Sequence, residues 1–156
     1  MELDGKVAVV SGGAVRLGRA LALALARHGV RLAIHYNGSA GAAQETIAQV
    51  KVLGSDAVAI QADLSQAALA ATVVERTVTH FGQVDILVNS AAIFEAGGLA
   101  DTTETNWDRH LAINLKVPFF LSQAFAAHGG ANGEATSSTS RIGVQPARLP
   151  IIWPTR

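Results

Sequence analysis

The 156 residues include 49% hydrophobic and 15% charged side chains, a balance that supports one buried core and argues against intrinsic disorder. Twelve basic and twelve acidic residues cancel, and no run of like charges indicates nucleic acid or an anionic membrane as a partner. The absence of cysteine excludes disulfides and thiolate metal sites and fits a reducing compartment. No signal sequence or membrane-spanning run is recognisable, so we expect a cytoplasmic protein without a metal site.

Short runs rich in β-branched residues predict four strands. These runs are KVAVV (6–10), VRLAIHY (30–36), DAVAIQA (56–62) and VDILVNSAA (84–92). The first run is apolar at nearly every position, as in strands of parallel sheets that are buried on both faces.

Segments with helical periodicity separate and follow these strands. They cover residues 19–29, 39–54, 66–82 and 102–129. Thr102 or Thr103 is expected to cap the last helix, and Pro118 to break or kink it just after Asn114. The alternation predicts an α/β fold, a Rossmann-type doubly wound parallel sheet that is incomplete at its C-terminal side. Ligands of such sheets bind at the carboxyl ends of the strands.

A glycine-rich turn, SGGAVRLGRA, follows the first strand. Glycines allow a tight turn and a close approach of the backbone to a pyrophosphate, and the next helix offers free N–H groups at its start. The strict G-x-G-x-x-G spacing is missing, because three residues separate Gly12 from Arg16 and one more separates Arg16 from Gly18. A tight strand–helix turn without a ligand is the alternative.

This turn resembles the T-G-x-x-x-G-x-G motif of the short-chain dehydrogenase/reductases, and the resemblance extends over about residues 3–130. Arg at the place of the middle glycine is similar to the pteridine reductase branch of that family. The resemblance implies that the turn binds a dinucleotide through Ser11, Gly12, Arg16, Leu17 and Gly18.

The second strand ends in IHYNGSA, and no acidic residue lies between Asp4 and Glu45. An NAD-preferring site would carry an acid here to accept from the ribose 2′-hydroxyl, whereas this end repels no 2′-phosphate. The H-Y-x-x-S string is similar to the NADPH-binding stretch of pteridine reductases, although Asn37-Gly38 stands where that branch often has Arg. We therefore expect NADPH as cofactor, bound by His35, Tyr36, Asn37 and Ser39. For His35, a histidine satisfied within the chain is the alternative.

Two further strand ends carry residues that match the family. The resemblance implies that Asp63 bonds the adenine amino group and that Leu64 flanks the ring. It also implies that Asn89, Ser90 and Ala91 support the sheet and line the cofactor site. Alone, Asp63 would be interpreted as an acid near a helix N-terminus.

Phe94 and Asn114 are the candidates nearest to the chemistry. Phe94 stands where pteridine reductases stack the pterin ring, and ordinary loop packing is the alternative. Asn114 lies in an apolar helical stretch before Pro118, which suggests a freed carbonyl that binds water. The resemblance makes it the catalytic tetrad asparagine that helps to hold a proton-relay water, and a solvent-facing helix asparagine is the alternative.

The family's proton donor is a tyrosine with lysine four residues later, preceded by Ser or Asp. Here Tyr36 is the only tyrosine and Lys116 the last lysine, so no Y-x-x-x-K pair is present and we predict that the chain as written is inactive. The favoured function is an NADPH-dependent short-chain oxidoreductase that reduces a pteridine or small carbonyl substrate and forms a homodimer or homotetramer in its full-length form. A catalytically inactive dinucleotide-binding module is the alternative, and an interaction protein with the sheet as scaffold is a third possibility.

The last segment, 131–156, is interpreted as an irregular tail after the Rossmann portion 1–130. A fifth strand is due at this point, and GAC ATC ATC AAC ATC would encode one. The same bases in the next frame encode Thr-Ser-Ser-Thr-Ser, the sequence of residues 136–140. We therefore predict a frame shift, with a genuine flexible C-terminus as the alternative. Residues 136–140 are expected either to be irregular or to occupy the place of the fifth strand with polar side chains poorly suited to it. Without a fifth strand, the fourth would present an unpaired apolar edge, a hazard for self-association.

Overall fold

The computed structural model describes residues 2–128 and the backbone of residues 136–139. Five parallel strands form one sheet in the order β3-β2-β1-β4-β5. The strands are β1 (Val7–Ser11), β2 (Arg31–Tyr36), β3 (Ala57–Gln61), β4 (Ile86–Asn89) and β5 (Thr136–Thr139). The predicted Rossmann-type parallel α/β fold is confirmed.

Helices cover both faces of the sheet. They are α1 (Arg16–Ala26), α2 (Ala40–Val52), α3 (Leu69–Phe81), α4 (Glu104–Leu111) and α5 (Val117–His128), with a π-helical turn (Ala112–Lys116) between the last two. On β1, Ala8 and Val10 pack with α1 and α2, while Val9 packs with α3 and α5. Every residue of β1 is buried, which explains its continuous apolar sequence.

Of the break or kink expected just after Asn114, no break occurs, because the last long helix continues through Pro118; the helix is instead distorted there by a π-helical turn. The π-helical turn lies directly before the proline. Proline has no N–H for the carbonyl four residues earlier, and its ring would press against that carbonyl. The wider π turn gives the ring room while the chain stays helical. Thr103 caps α4 as expected, since its side chain accepts from the N–H of Asn106.

The expectation that β4 lacks a partner on one side is wrong. β5 pairs with β4 in parallel, from Ile86 opposite Thr136 to Asn89 opposite Thr139. Sheet pairing uses backbone groups, so a segment rich in Ser and Thr can form it without apolar side chains. The rest of the predicted irregular tail lies outside the described residues. None of the described helices is long and apolar enough to cross a membrane.

Candidate functional site

A cavity of about 630 Å³ lies at the carboxyl edge of the sheet, next to the ends of β1 and β4. Strand order reverses between these two strands, which is where doubly wound sheets bind ligands. Its wall comes mainly from the segments that follow four successive strands. The lining residues are Gly12, Val15, Arg16, Leu17, Gly18, His35, Asn37, Asp63, Leu64, Ser65, Ser90, Ala91, Ala92, Ile93, Phe94 and Ile113.

The turn after β1 requires its glycines. Gly12 has φ +64°, and a Cβ added there would lie 2.9 Å from the Cα of Ala91. A Cβ on Gly18 would overlap the carbonyl oxygen of Gly12. Arg16, with φ 51°, begins α1, whose first turn holds no acid and whose N-cap Val15 makes no side-chain cap bond. The turn thus brings bare backbone and an uncapped helix start to the cavity.

His35 holds this turn from the end of β2. Its Nδ1 accepts from the N–H of Gly12 at 3.1 Å, and its Nε2 lies 3.0 Å from the carbonyl oxygen of Ala62. The residue is 3% exposed, and burial lowers the pKa of the imidazole, while the hydrogen bond to Ala62 raises it by less. With both ring nitrogens engaged, His35 has no free donor for a phosphate. The expected donor role is therefore corrected in favour of the satisfied histidine.

Ser11, at the end of β1, is buried behind the cavity wall and bonds to the segment at the end of β4. Its hydroxyl accepts from the N–H groups of Ser90 at 3.0 Å and Ala91 at 3.1 Å, and it donates to the carbonyl of Val88. These bonds join the turn after β4 to the end of β1. The buried side chain of Ser11 does not line the cavity, so a direct contact with a cofactor is not what this structure indicates.

The other predicted cofactor residues divide into two groups. Those that line the cavity are Gly12, Arg16, Leu17, Gly18, Asn37, Asp63, Leu64, Ser90 and Ala91. Tyr36 is half-buried against the core, Ser39 is exposed at the start of α2, and the Nδ2 of buried Asn89 donates to Ser122. These last three lie beside the cavity rather than on its wall.

Asp63 forms a local turn at the cavity wall. Its Oδ1 accepts from the N–H of Ser65 at 3.0 Å. The pKa of Asp63 is lowered, chiefly by its hydrogen bonds from the backbone and side chain of Ser65, with a smaller contribution from the charge of Arg109. The carboxylate is therefore ionised and lies on the wall as an acceptor.

The side-chain amide of Asn114 bonds to one neighbour, Ile93, through both its oxygen and its nitrogen. Its Oδ1 accepts from the N–H of Ile93 and its Nδ2 donates to the carbonyl of Ile93, both at 2.9 Å. The amide thus ties the segment after β4 to the π-helical turn. The alternative of a solvent-facing asparagine is wrong, and any role in holding water would fall to the Asn114 carbonyl, for which Pro118 supplies no N–H.

A second set of hydrogen bonds anchors Glu95, the residue after Phe94. The Glu95 carboxylate bonds the side chains of Asn106 and Arg109, and the Glu95 N–H donates to Nε2 of His110 at 3.1 Å. Phe94 therefore lies between two anchored residues, with 85% of its surface exposed at the cavity. The three helix residues share one face through spacings of three and four, a pattern that the sequence offered and that the prediction missed.

Residue-by-residue matching also missed five lining positions. They are Val15, Ser65, Ala92, Ile93 and Ile113. All five are sequence neighbours of predicted residues, and Ile93 is also the hydrogen-bond partner of Asn114. A search of each strand end, rather than of motif positions alone, would have included them.

Comparison with known proteins accounts for this arrangement. A family model described as short chain dehydrogenase matches residues 6–151. The chain belongs to the short-chain dehydrogenase family. Among curated relatives, versicolorin reductase 1 of Aspergillus parasiticus is 36% identical over 138 residues, which cover 88% of this chain and 53% of that protein.

Two solved structures that are similar to this chain contain a nicotinamide cofactor. A short chain dehydrogenase from Burkholderia cenocepacia in complex with NADP has a TM-score of 0.80 and 42% identity over 83% of this chain and 53% of that chain. A blue fluorescent protein from a metagenomic library in complex with NADPH has a TM-score of 0.78 and 36% identity over 83% of this chain and 53% of that chain. The chain spans about half the length of these short-chain dehydrogenase relatives.

Proposed function

We propose that this chain forms the cofactor-binding part of an NADPH-dependent short-chain oxidoreductase. The observation that carries the proposal is the turn after β1, where Gly12 approaches Ala91 so closely that a side chain would not fit. Such a bare turn, followed by an uncapped helix start at the switch point of the sheet, suits a pyrophosphate. Gly12, Arg16, Leu17 and Gly18 would hold it.

The adenosine half would lie toward β2 and β3. Asp63 would accept from the adenine amino group, and Leu64 and Ile113 would flank the ring from two elements of the wall. For the ribose, the end of β2 offers the exposed residues Asn37 and Ser39 and no carboxylate. This favours a 2′-phosphate over a free 2′-hydroxyl, and therefore NADPH over NADH.

The experiment for this proposal is a titration of the chain with NADP⁺ and with NAD⁺ by calorimetry. We expect NADP⁺ to bind more tightly, and we expect Ser39→Asp to reverse the preference, because a carboxylate there repels the phosphate and accepts from a 2′-hydroxyl. Val52→Asp, at the last residue of α2 and 87% exposed, is a control that adds the same charge far from the end of β2. Tighter binding of NAD⁺ by the unchanged chain would refute the cofactor assignment.

We propose a flat carbonyl or pteridine compound as the substrate. Phe94 supports this, since its exposed ring lies at the cavity between two anchored residues and can stack on a planar group. Versicolorin reductase 1 is named for a different substrate, and none of the three relatives described above names a pteridine. The pteridine assignment therefore rests on the motif resemblance alone.

Reduction also requires a proton at the substrate oxygen. When bound, NADPH would supply the hydride to the substrate carbon, and an acidic side chain must supply the proton. We propose that the 156-residue chain lacks this donor, because Tyr36, its only tyrosine, is placed on β2 and no Y-x-x-x-K pair is present. The alternative function is a dinucleotide-binding module without catalysis. Substrate-dependent NADPH oxidation by the pure chain would contradict the proposed inactivity.

We also propose that the full-length protein is a homodimer or homotetramer that pairs through the helix carrying Asn114. Four large apolar residues at intervals of four are exposed along it: Trp107, Leu111, Leu115 and Phe119. Exposed apolar stripes of this kind mark protein–protein contacts. A cytoplasmic location remains a proposal that rests on the cysteine-free composition.

The frame shift from about residue 135 remains a proposal as well. It rests on the codon correspondence at residues 136–140, not on the paired backbone of β5, which a genuine C-terminal segment would also form. Resequencing codons 125 to 156 tests it, and an intact frame would end it.

A further inference from the structure

We propose that His35 is a positioning residue of the glycine-rich turn and that it performs this role only as the neutral Nε2–H tautomer, so that dinucleotide affinity falls in acid. This inference rests on the proposed function, in which the turn holds the cofactor. In this proposal His35 does not touch the phosphate. It contacts the backbone of Gly12, and that backbone would hold the phosphate.

The hydrogen bonds determine the tautomer. The N–H of Gly12 points at Nδ1, so this nitrogen must accept. The single proton of the neutral ring is then on Nε2, where the carbonyl oxygen of Ala62 accepts it at 3.0 Å. The backbone adds a third bond, from the N–H of Gly13 to the carbonyl of His35 at 3.0 Å. One residue thus connects the ends of β1, β2 and β3.

The turn has little freedom to adapt if this support is lost. Gly12 lies between the imidazole on one side and the backbone of Ala91 on the other, where even a Cβ would approach to 2.9 Å. A shift of Gly12 would also move the start of α1, because Gly18 packs against the Gly12 carbonyl. The backbone N–H groups offered to a pyrophosphate therefore depend on the bond to Nδ1.

Protonation removes this bond. A second proton would sit on Nδ1 and face the N–H of Gly12, so two donors would meet where one bond existed. The ring is 3% exposed, so water cannot easily separate them. Burial lowers the pKa of His35, and the folded chain therefore takes up this proton less readily than the unfolded chain. The stabilisation is complete above the unfolded pKa of about 6.5 and is lost as the pH falls through the lowered folded value.

Charged groups around the ring come from two elements. Arg16 at the start of α1 and Asp63 after β3 line the same cavity, and within the described residues neither side chain forms a hydrogen bond with the ring. A bound pyrophosphate would itself favour the imidazolium by attraction and would thus raise affinity in acid. The geometric and the electrostatic effects have opposite signs, which makes the direction of the pH dependence decisive.

The test compares the full chain with two variants that do not titrate. In His35→Asn the side-chain oxygen can accept from Gly12 in place of Nδ1, whereas in His35→Gln the longer side chain can only replace the bond to Ala62. Affinity for NADP⁺ and NAD⁺ is measured by calorimetry between about pH 4 and 8, a range that extends below the ordinary titration of histidine because burial lowers the pKa of His35. NAD⁺ has no 2′-phosphate, so a slope shared by both cofactors cannot come from protonation of that group.

For the unchanged chain we expect the affinity for both cofactors to fall by up to about tenfold per pH unit once the pH lies below the folded pKa of His35. His35→Asn should bind with near-neutral affinity and without this slope, and His35→Gln should bind weakly at every pH. A flat or rising affinity of the unchanged chain in acid would overturn the proposal, as would a slope that persists in His35→Asn. Absence of binding to both cofactors at neutral pH would overturn the proposed function together with it.

A second measurement needs no variant. The ¹⁵N shifts of the His35 imidazole at neutral pH should show a bare Nδ1 and a protonated Nε2. A protonated Nδ1 would contradict the proposal even if the variants failed to fold.

Discussion

Replacement of Gly12 by alanine separates two physical effects that meet in the cofactor turn. The first is conformational, because Gly12 has φ +64° and a residue with a Cβ loses about 1–2 kcal/mol in this region. The second is steric, since the new Cβ would lie 2.9 Å from the Cα and 3.1 Å from the N of Ala91. Both contacts are backbone, so they are relieved only by a shift of the turn, and overpacking of this kind costs about 1–3 kcal/mol.

Gly5 provides a matched control for this experiment. Its φ is +72°, and a Cβ there would have no atom within 4 Å. Gly5→Ala should therefore lower the free energy of unfolding by only about 1–2 kcal/mol, whereas Gly12→Ala should lower it by about 2–5 kcal/mol. Urea denaturation followed by circular dichroism measures both.

The two variants should differ still more in cofactor binding. Gly12→Ala should weaken NADP⁺ at least about tenfold, because the backbone that would meet the pyrophosphate is displaced, while Gly5→Ala leaves the affinity unchanged. Equal destabilisation by the two substitutions, together with unchanged NADP⁺ affinity in Gly12→Ala, would refute the steric argument and the assignment of the turn.

Two further substitutions test the long helix. Asn114→Ala leaves the N–H and carbonyl of Ile93 without their partners and should lower the free energy of unfolding by about 1–3 kcal/mol, whereas Gln123→Ala, on the exposed side of α5, should change it by less than about 0.5 kcal/mol. Similar changes in the free energy of unfolding for the two variants in urea denaturation would contradict a stabilising role of the Asn114–Ile93 hydrogen bonds. In the full-length protein, Leu115→Glu should shift the oligomer toward the monomer in sedimentation velocity, whereas Val52→Glu, at a residue 87% exposed on α2, should not. An unchanged sedimentation coefficient for Leu115→Glu would argue against pairing through the stripe.

The sequence was sufficient for the four strands and for the fold class because β1, β2 and β4 are buried at nearly every position and form short apolar runs. The edge strand β3 is only partly buried but is also a short, mostly apolar run. It was also sufficient to assign Gly12 and Gly18 to the turn after β1, because that turn requires glycine at both positions. It was misleading for His35, since the bonds of the ring depend on the parallel register of three strands, in which Val10 lies opposite Ile34 and Ile34 opposite Ala59. Nothing local to IHYNGSA encodes that register.

The long helix shows a different limit of sequence reasoning. A proline inside a helical pattern predicts an end or a kink, and the pattern alone does not reveal that a π turn can accommodate the ring. The pairing of β5 is one of the two outcomes expected for residues 136–140, and the sequence alone does not choose between it and irregular backbone. Its side chains lack strand periodicity, while its pairing depends on the backbone edge that β4 offers.

The central claim is that the turn after β1 and the end of β2 together hold NADP(H). The most direct measurement is the shift of backbone amide resonances of the ¹⁵N-labelled chain on addition of NADP⁺. We predict the largest shifts at Gly12, Gly13 and Gly18 and a second group at Asn37 and Ser39, which NAD⁺ should perturb less. Shifts confined to other parts of the chain, or no shifts at millimolar NADP⁺, a range that already includes weak binding, would contradict the account.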